Sequence, residues 1–480
     1  MSVIGLDFGS HWASFAVFQA KLGVCEVFAD DLGSRAVPCV VAFRGADQVI
    51  IGEAAMSQQY KNSANTFANI RHLLDSDSDT VTVPVLNKDI ATVDLVSHFF
   101  RHIHDQVAQQ VGQSVKDLVI SISTAHMTNE SFKAKVTAAA QAGGLRIKSF
   151  IPDTTASVIA HNLDTTTLSR AKGSNCSKSS VLVVDLGYSQ SEVATFEVAG
   201  GLITPLDSKS TWECHGSSVV DALTKHCTKD FKRKTKVPCD DNQRSMLRLR
   251  KEVEAAVRIL STTQETTIDL DALAEGMDYS GKVSRAKFED LTLLYFMGVK
   301  NLVKSLDLDP ASITHVIMSG GFSSVPKTIF DMKWLFPNAT FLRGHVEPTE
   351  AVCLGAALHG MTLSKEGVLD AVPTSSESMA TIPVSLSLND QVVFPKGLVL
   401  PVATIIPVTA STSEDTGFTL SFDGTELAQV AVPSSTLDSS EATAELTVMV
   451  AVSLTGAVTV VVKNKKTDAT LAEVSVPASA

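Results

Sequence analysis

A duplicated α/β fold, with two lobes facing each other across a cleft and a small all-β domain after them, is predicted by three observations. An apolar strand runs into the turn Asp7-Phe8-Gly9 and out into a second strand, and the same signal returns at Asp185-Leu186-Gly187. Strands alternate with long segments of helical spacing as far as Met361, which is the pattern of βαβ units that bury a sheet between helices. Beyond Met361, helical spacing gives way to alternating, β-branched runs.

Residues 3–6, 12–19, 37–43 and 118–123 are rich in β-branched and aromatic side chains and read as strands. Residues 92–111 and 129–142 carry apolar residues three and four apart and read as helices. The pattern restarts with strands at 181–185 and 192–198, a helix at 218–233 and a longer one at 243–261. A buried strand at 315–319 enters Gly320-Gly321, and 348–361 is the next helix. Residues 372–379 are rich in Pro, Ser, Thr and Glu and read as an interdomain linker. The expected division is therefore 1–361, a linker at 362–381, and 382–480. In the last part, strands at 382–388, 418–422 before Asp423-Gly424, 446–454, and 458–462 after Thr455-Gly456 predict a small antiparallel sandwich with no helix following it. Alternation puts Leu446, Val448, Val450, Val452 and Leu454 on one face.

A chain of 480 residues exceeds one ordinary core and calls for several domains. Its 44% hydrophobic and 19% charged residues fit a globular protein and argue against extensive disorder. No apolar run reaches the roughly 18 residues of a membrane span, and Met1-Ser2 leads straight into the first strand, so neither a membrane nor a signal peptide is expected. Seven cysteines without a Cys-Xaa-Xaa-Cys pair fit free thiols in a reducing cytosol. A net charge of -12 argues against DNA as a partner. The one basic cluster, 229–236 with Lys232-Arg233-Lys234, reads as a solvated helix end, or alternatively as a contact with ribosomal RNA.

The two Asp-Xaa-Gly turns carry the chemistry. Asp holds a hydrated cation by an oxygen, while Gly lets backbone N–H groups approach an anion. Two facing copies would clamp one polyphosphate.

Together these residues resemble the heat-shock-70 (DnaK-type) chaperones of the actin-like ATPase fold, over almost the whole chain. Gly5-Leu6-Asp7-Phe8-Gly9-Ser10-His11 is similar to the family's first phosphate loop and Val184-Asp185-Leu186-Gly187 to its second. Residues 313–327 resemble the adenosine-side strand and turn, and Glu350-Ala351-Val352-Cys353-Leu354-Gly355-Ala356-Ala357 the helix closing that domain. Gly33-Ser34-Arg35-Ala36-Val37-Pro38 and residues 247–261 are similar too. The resemblance implies two lobes around a nucleotide cleft that takes ATP with Mg2+. It places the nucleotide at Asp7, Gly9, Ser10, His11, Asp153, Asp185, Gly187, Gly216, Glu254, Arg258, Ser261, Gly320, Gly321 and Phe322, with Asp7 and Asp185 as outer-sphere metal ligands.

The departures fall mostly on the catalytic side. On the adenosine helix Glu254, Arg258 and Ser261 match the family and Val257 replaces a lysine; beyond the glycine pair, Phe322 and Ser324 replace Ser and Arg, and Thr349 a ring-side Asp. Phe322 offers a face on which adenine can stack. Ile70 stands where the resemblance puts the lysine that reaches the γ-phosphate; an apolar group supplies no charge there, which implies a loss of at least about 10²-fold in rate. The second loop's Gly-Gly-Thr is Tyr188-Ser189-Gln190, whose phenol either blocks the γ-phosphate position or turns outward. Asp153 replaces a metal-orienting Glu, Ala125 a relay proline, and Gly216 keeps only part of a third glycine-rich contact. The sandwich resembles a shortened peptide-binding domain without its helical lid or the acidic tail of cytosolic members. This combination is most similar to the non-catalytic heat-shock-70 of the ribosome-associated complex. The implied role is a cytoplasmic, ribosome-associated cochaperone that binds ATP without efficient hydrolysis, pairs with a zuotin-type J-domain protein and assists nascent polypeptides. The alternative is a slow ATP-dependent chaperone acting directly on unfolded chains. An exchange factor of the heat-shock-110 type is disfavoured, because the long acidic insertion of that class is missing.

Overall fold

The computed structural model describes residues 2–19, 24–30, 33–46, 48–76, 78–161, 179–199, 202–342, 344, 346–365, 386–389, 391–394, 402–422, 425–437, 443–452, 458–467 and 469–476. Contacts divide the chain into two units: 1–161, 180–195 and 207–361 form the first, and 162–179, 196–206 and 362–480 the second.

The duplication seen in sequence is a duplication of sheet topology. The first lobe orders its strands Arg146–Pro152, Asp117–Ile122, Val3–Phe8, Trp12–Gln19 and Val24–Val27. The second orders Thr340–Leu342, His315–Ser319, Ser179–Leu186, Ser191–Ala199 and Leu202–Thr211. In each, three successive strands form a meander and two later strands join its open side in parallel, which requires helical crossovers. Val3–Phe8 sits between two neighbours with both faces covered, so its side chains are nearly all buried and the run is almost continuously apolar.

Each lobe has its own core. The helix Thr92–Val111 lays Leu95, Val96, Phe99, Phe100, Ile103 and Val107 on the first sheet, where the Phe8 ring lies 5.9 Å from Phe99 and 5.3 Å from Phe100. In the second lobe, helices Gly216–Thr235 and Gln243–Thr262 bury Val219, Leu223, Phe231, Leu249, Val253 and Leu260. Both are capped at their N-termini by a side chain: His215 accepts from Ser218 N–H and Asn242 from Ser245 N–H. The basic cluster ends the first of these helices. There Asp230 pairs with Arg233 at 2.6 Å and Lys234 at 2.7 Å.

Several elements differ from the sequence expectation. The strand expected at 37–43 is two, Val37–Pro38 and Val40–Gly45, because the Cys39 N–H turns aside to the His11 carbonyl. The helix expected at 348–361 begins at Ala351 and continues to Lys365, into the stretch read as linker; residues 366–381 of that stretch lie outside the described residues. The hairpin Glu265–Ala274 with Met277–Ser284 and the helices Arg285–Leu291, Leu293–Lys304 and Pro326–Leu335 were not legible. Leu293–Lys304 carries apolar residues on its outer face as well as its inner one, which erases the periodicity.

In the second unit, residues 386–476 form two four-stranded antiparallel sheets. One orders Gln391–Phe394, Leu386–Leu388, Thr416–Phe422 and Thr425–Val432; the other orders Val402–Ser411, Thr443–Val452, Val458–Asn464 and Thr470–Val476. Leu446, Val448, Val450 and Val452 alternate inward and share a core with Leu386, Phe418, Leu420 and Val460. Leu454 and the turns at Asp423-Gly424 and Thr455-Gly456 lie outside the described residues. No α-helix follows Lys365 among the described residues, and no described helix is long and apolar enough to cross a membrane. The six described cysteines are free thiols.

Candidate functional site

The matched strand-turn-strand elements of the two lobes face one cavity of about 670 Å³, within the range of small-ligand and cofactor sites. Both turns are tight: a Cβ on Gly9 would lie 2.2 Å from the Trp12 carbonyl oxygen, and one on Gly187 2.8 Å from that of Gln190. All the expected site residues except Gly216 line the cavity, and Gly216 packs directly behind it.

At its floor Asp7, Asp153, Asp185 and Glu192 converge, with the buried Arg71 acting on Asp7 and Asp153 while its guanidinium donates to the Phe8 carbonyl at 3.2 Å. Burial raises the pKa of Asp7, reinforced by Asp153 and opposed by Arg71. Burial likewise raises Asp153, and it raises Asp185 well above the ordinary value with help from Asp153, Glu192 and Asp7. Glu192 is pushed up from 4.5 to about 7 by burial, even though Thr124 donates to it through both N–H and hydroxyl. Asp153 Oδ1 is buried without a hydrogen-bond partner. Such crowded carboxylates, one of them unsatisfied, suit a cation. Among the described residues no three such side chains are placed to ligate a metal directly.

These shifts fix the sign of a pH effect. A carboxyl whose pKa is raised by folding binds its proton more tightly folded than unfolded, so its stabilisation is complete below 4.5 and is lost as pH rises to about 7. Denaturant midpoints measured without divalent cation should therefore fall between pH 4.5 and about 7, and Glu192→Gln should flatten that slope. An unchanged slope in the variant would remove Glu192 from the account.

The wall above the acids is closed by the chain itself. Tyr188 turns into the cleft and stacks on His11 of the other lobe, with centroids 3.9 Å apart and planes within 7°. Its hydroxyl donates to Glu254 Oε1 at 2.9 Å and accepts from Arg250 at 2.9 Å. Burial and the nearby Glu254 raise the phenol's pKa, keeping it neutral. Burial opposes ionisation of Glu254, yet His11, the Tyr188 hydroxyl and Arg250 outweigh it and hold the pKa below its ordinary value. His11 Nε2 lies 3.4 Å from Glu254 Oε2 without hydrogen-bond alignment, and Nδ1 meets Asn69 Oδ1 at 3.0 Å. Ser189 donates to Ser10 across the loops at 2.7 Å, and His72 reaches the Ser189 hydroxyl at 3.3 Å. Arg258 lies over the Trp12 ring at 4.9 Å.

Two backbone donors suited to a phosphate are already used. Gly216 N–H donates to the Gly187 carbonyl at 2.9 Å and Ser217 N–H to that of Tyr188 at 2.8 Å, which ties the second loop to the start of the helix Gly216–Thr235. Phe322 packs closely on Gly216, where a Cβ would lie 2.0 Å from its ring. Ile70 is fully buried in the first lobe's core and does not line the cleft. Gln190 is buried at the cleft with both amide atoms unpaired. Volume, unpaired polar atoms and the acid cluster thus fit a nucleotide with a hydrated cation, while the region between the loops is narrowed by Tyr188 and Ser189.

Sequence reasoning missed Glu192, Arg71 and Arg250. Glu192 was legible in principle, as an acid close to the second Asp-Xaa-Gly turn at the start of a mostly buried strand; Arg250 was not, because its partner Tyr188 had no assigned direction.

Duplicated lobes, paired Asp-Xaa-Gly turns and a shared cleft define a two-lobed, actin-like nucleotide-binding class. The family model described as "Hsp70 protein" matches residues 3–389, and the chain belongs to the Hsp70 family of chaperones. It is similar to "Heat shock 70 kDa protein 14" of Danio rerio, 27% identical over 437 residues that cover 84% of each chain. It is also similar to a ribosome-associated molecular chaperone of Saccharomyces cerevisiae, 26% identical over 452 residues, 87% of this chain and 71% of the relative. A heat shock protein of Pyricularia oryzae is 27% identical over 436 residues, 83% of this chain and 68% of its own. Members of this family bind adenine nucleotide with Mg2+.

Proposed function

We propose that this chain is a non-catalytic Hsp70-type cochaperone, which holds ATP without efficient hydrolysis and pairs with a zuotin-type J-domain protein at the ribosome to assist nascent chains. The observation that carries the reading is Ile70: its side chain is part of the first lobe's core, so the position offers no charge or donor to a phosphoryl group. Asp7, Asp153 and Asp185 would orient the hydrated Mg2+, whose charge stabilises the phosphates when bound. Glu254, Arg258 and Ser261, with Gly320, Gly321 and Phe322, would hold the adenosine, and Gly9, Ser10, His11, Gly187 and Gly216 would surround the phosphates. A cytoplasmic, ribosome-associated setting is supported by the name of the yeast relative. We place the nucleotide-binding part at 1–361 and the substrate-binding-like sandwich at 382–480.

Purified protein should show no ATP turnover above background, with or without a J-domain, and should form a stable one-to-one complex with the J-protein that deletion of 382–480 strongly weakens. Multiple turnover abolished by Asp185→Asn would overturn the reading in favour of a slow chaperone ATPase. So would purification with unfolded clients but with neither J-protein nor ribosomes.

A further inference from the structure

Two adjoining helices of the second lobe expose an apolar surface that the nucleotide cleft does not use. On Leu293–Lys304, Leu293 and Met297 are about half exposed and Leu294 is 83% exposed. On Pro326–Leu335, Phe330 is 64% and Trp334 72% exposed, one turn apart on the same face. The helices pack against each other and are pinned by Asp331, which takes Lys327 at 2.7 Å and Lys300 at 3.3 Å. Their inner faces, with Phe296, Val299 and Met332, complete the core, so folding of the lobe does not require the outer five. Water-facing Leu, Met, Phe and Trp grouped in this way mark an interaction surface, and aromatic and Met side chains are the types that anchor interface centres.

The charge around the surface selects the occupant. The two helices carry Lys300, Lys304, Lys327 and Lys333 against Asp331 alone, although the whole chain is at -12. Lys327 and Lys333 lie near the rings of Phe330 and Phe341 at 5.2 and 5.8 Å, with Lys333 and Lys304 exposed at the rim. Beyond the other end, Asp290 is paired with Lys287 at 2.9 Å. A lysine rim around an apolar centre complements a segment with apolar residues three and four apart and carboxylates beside them. We infer that the outer face of helices Leu293–Lys304 and Pro326–Leu335 docks an acidic, amphipathic helix of a partner protein. None of the five exposed apolar side chains lines the nucleotide cleft.

The test places a photo-crosslinking amino acid at position 294 or 334 of the full-length chain in its native cells and maps the crosslinked peptides by mass spectrometry. The expected crosslink falls on one segment of another protein, with Leu or Phe at helical spacing and flanking Asp or Glu. Lys304→Glu with Lys333→Glu should reduce it about tenfold, and lysines in place of the partner's acidic residues should restore it. Leu294→Glu with Trp334→Glu should abolish the complex while leaving the melting temperature of the chain unchanged, since both positions are exposed. Crosslinks to a second copy of this chain, to a basic or non-helical segment, to scattered proteins or to nothing would each overturn the inference. So would a crosslink indifferent to the lysine reversals.

Discussion

Ile70→Lys should cost the first lobe about 3 kcal/mol of stability and leave ATP turnover at background. The side chain that would have to reach a phosphate lies in the same core as Leu74, Phe99 and Ile120, and a lysine introduced there must either bury its ammonium or distort the segment. The neighbouring Arg71 already supplies a guanidinium at the acid cluster. Ile70→Val, which removes one methylene, should cost only about 1 kcal/mol. Denaturant unfolding and a coupled ATPase assay check both variants. A fully stable lysine variant with measurable turnover would show that the position opens to the cleft and that one substitution separates this chain from an active enzyme.

Tyr188→Ala should raise ATP affinity at least about tenfold while lowering the stability of the nucleotide-free protein. The phenol gives a stack worth about 1 kcal/mol and hydrogen bonds to two charged groups worth about 3 kcal/mol in total, and all of these link the lobes or brace the Glu254 side chain. Removing it frees Glu254 for a ligand and widens the space between the loops. Calorimetric titration with ATP, together with thermal melts in the presence and absence of the nucleotide, separates the two effects. The ATP-induced rise in melting temperature should be larger in the variant than in wild type. Equal affinities would mean that Tyr188 swings aside at no cost, and that the stack does not control the site.

The fold was legible in large part because its strongest signals are local. Residues 92–111 form the helix that their spacing predicts, and the strand Trp12–Gln19 has its expected bounds, since each is one amphipathic or buried run with clear ends. The paired Asp-Xaa-Gly turns fixed where the cleft had to lie. The direction of Tyr188 was beyond reach: the sequence left it to block the cleft or to turn outward, and the choice rests on His11 and Glu254, which are brought to it by different elements of the fold. Burial of Ile70 is likewise a matter of how residues 66–75 lie against the sheet, although its apolar character was plain.

The stack of His11 on Tyr188 has a consequence for how the protein would read the metabolic state of its surroundings. A ligand shifts a conformational equilibrium only as far as it binds one state better than the other. Here the two lobes touch through an aromatic pair and the Ser10–Ser189 hydrogen bond, so side chains of the chain itself supply a bridge across the cleft. Under the proposed function, the surface shown to a partner would stay nearly constant as the ratio of ATP to ADP rises and falls, and an assembly built on it would persist through energy stress that resets a cycling chaperone.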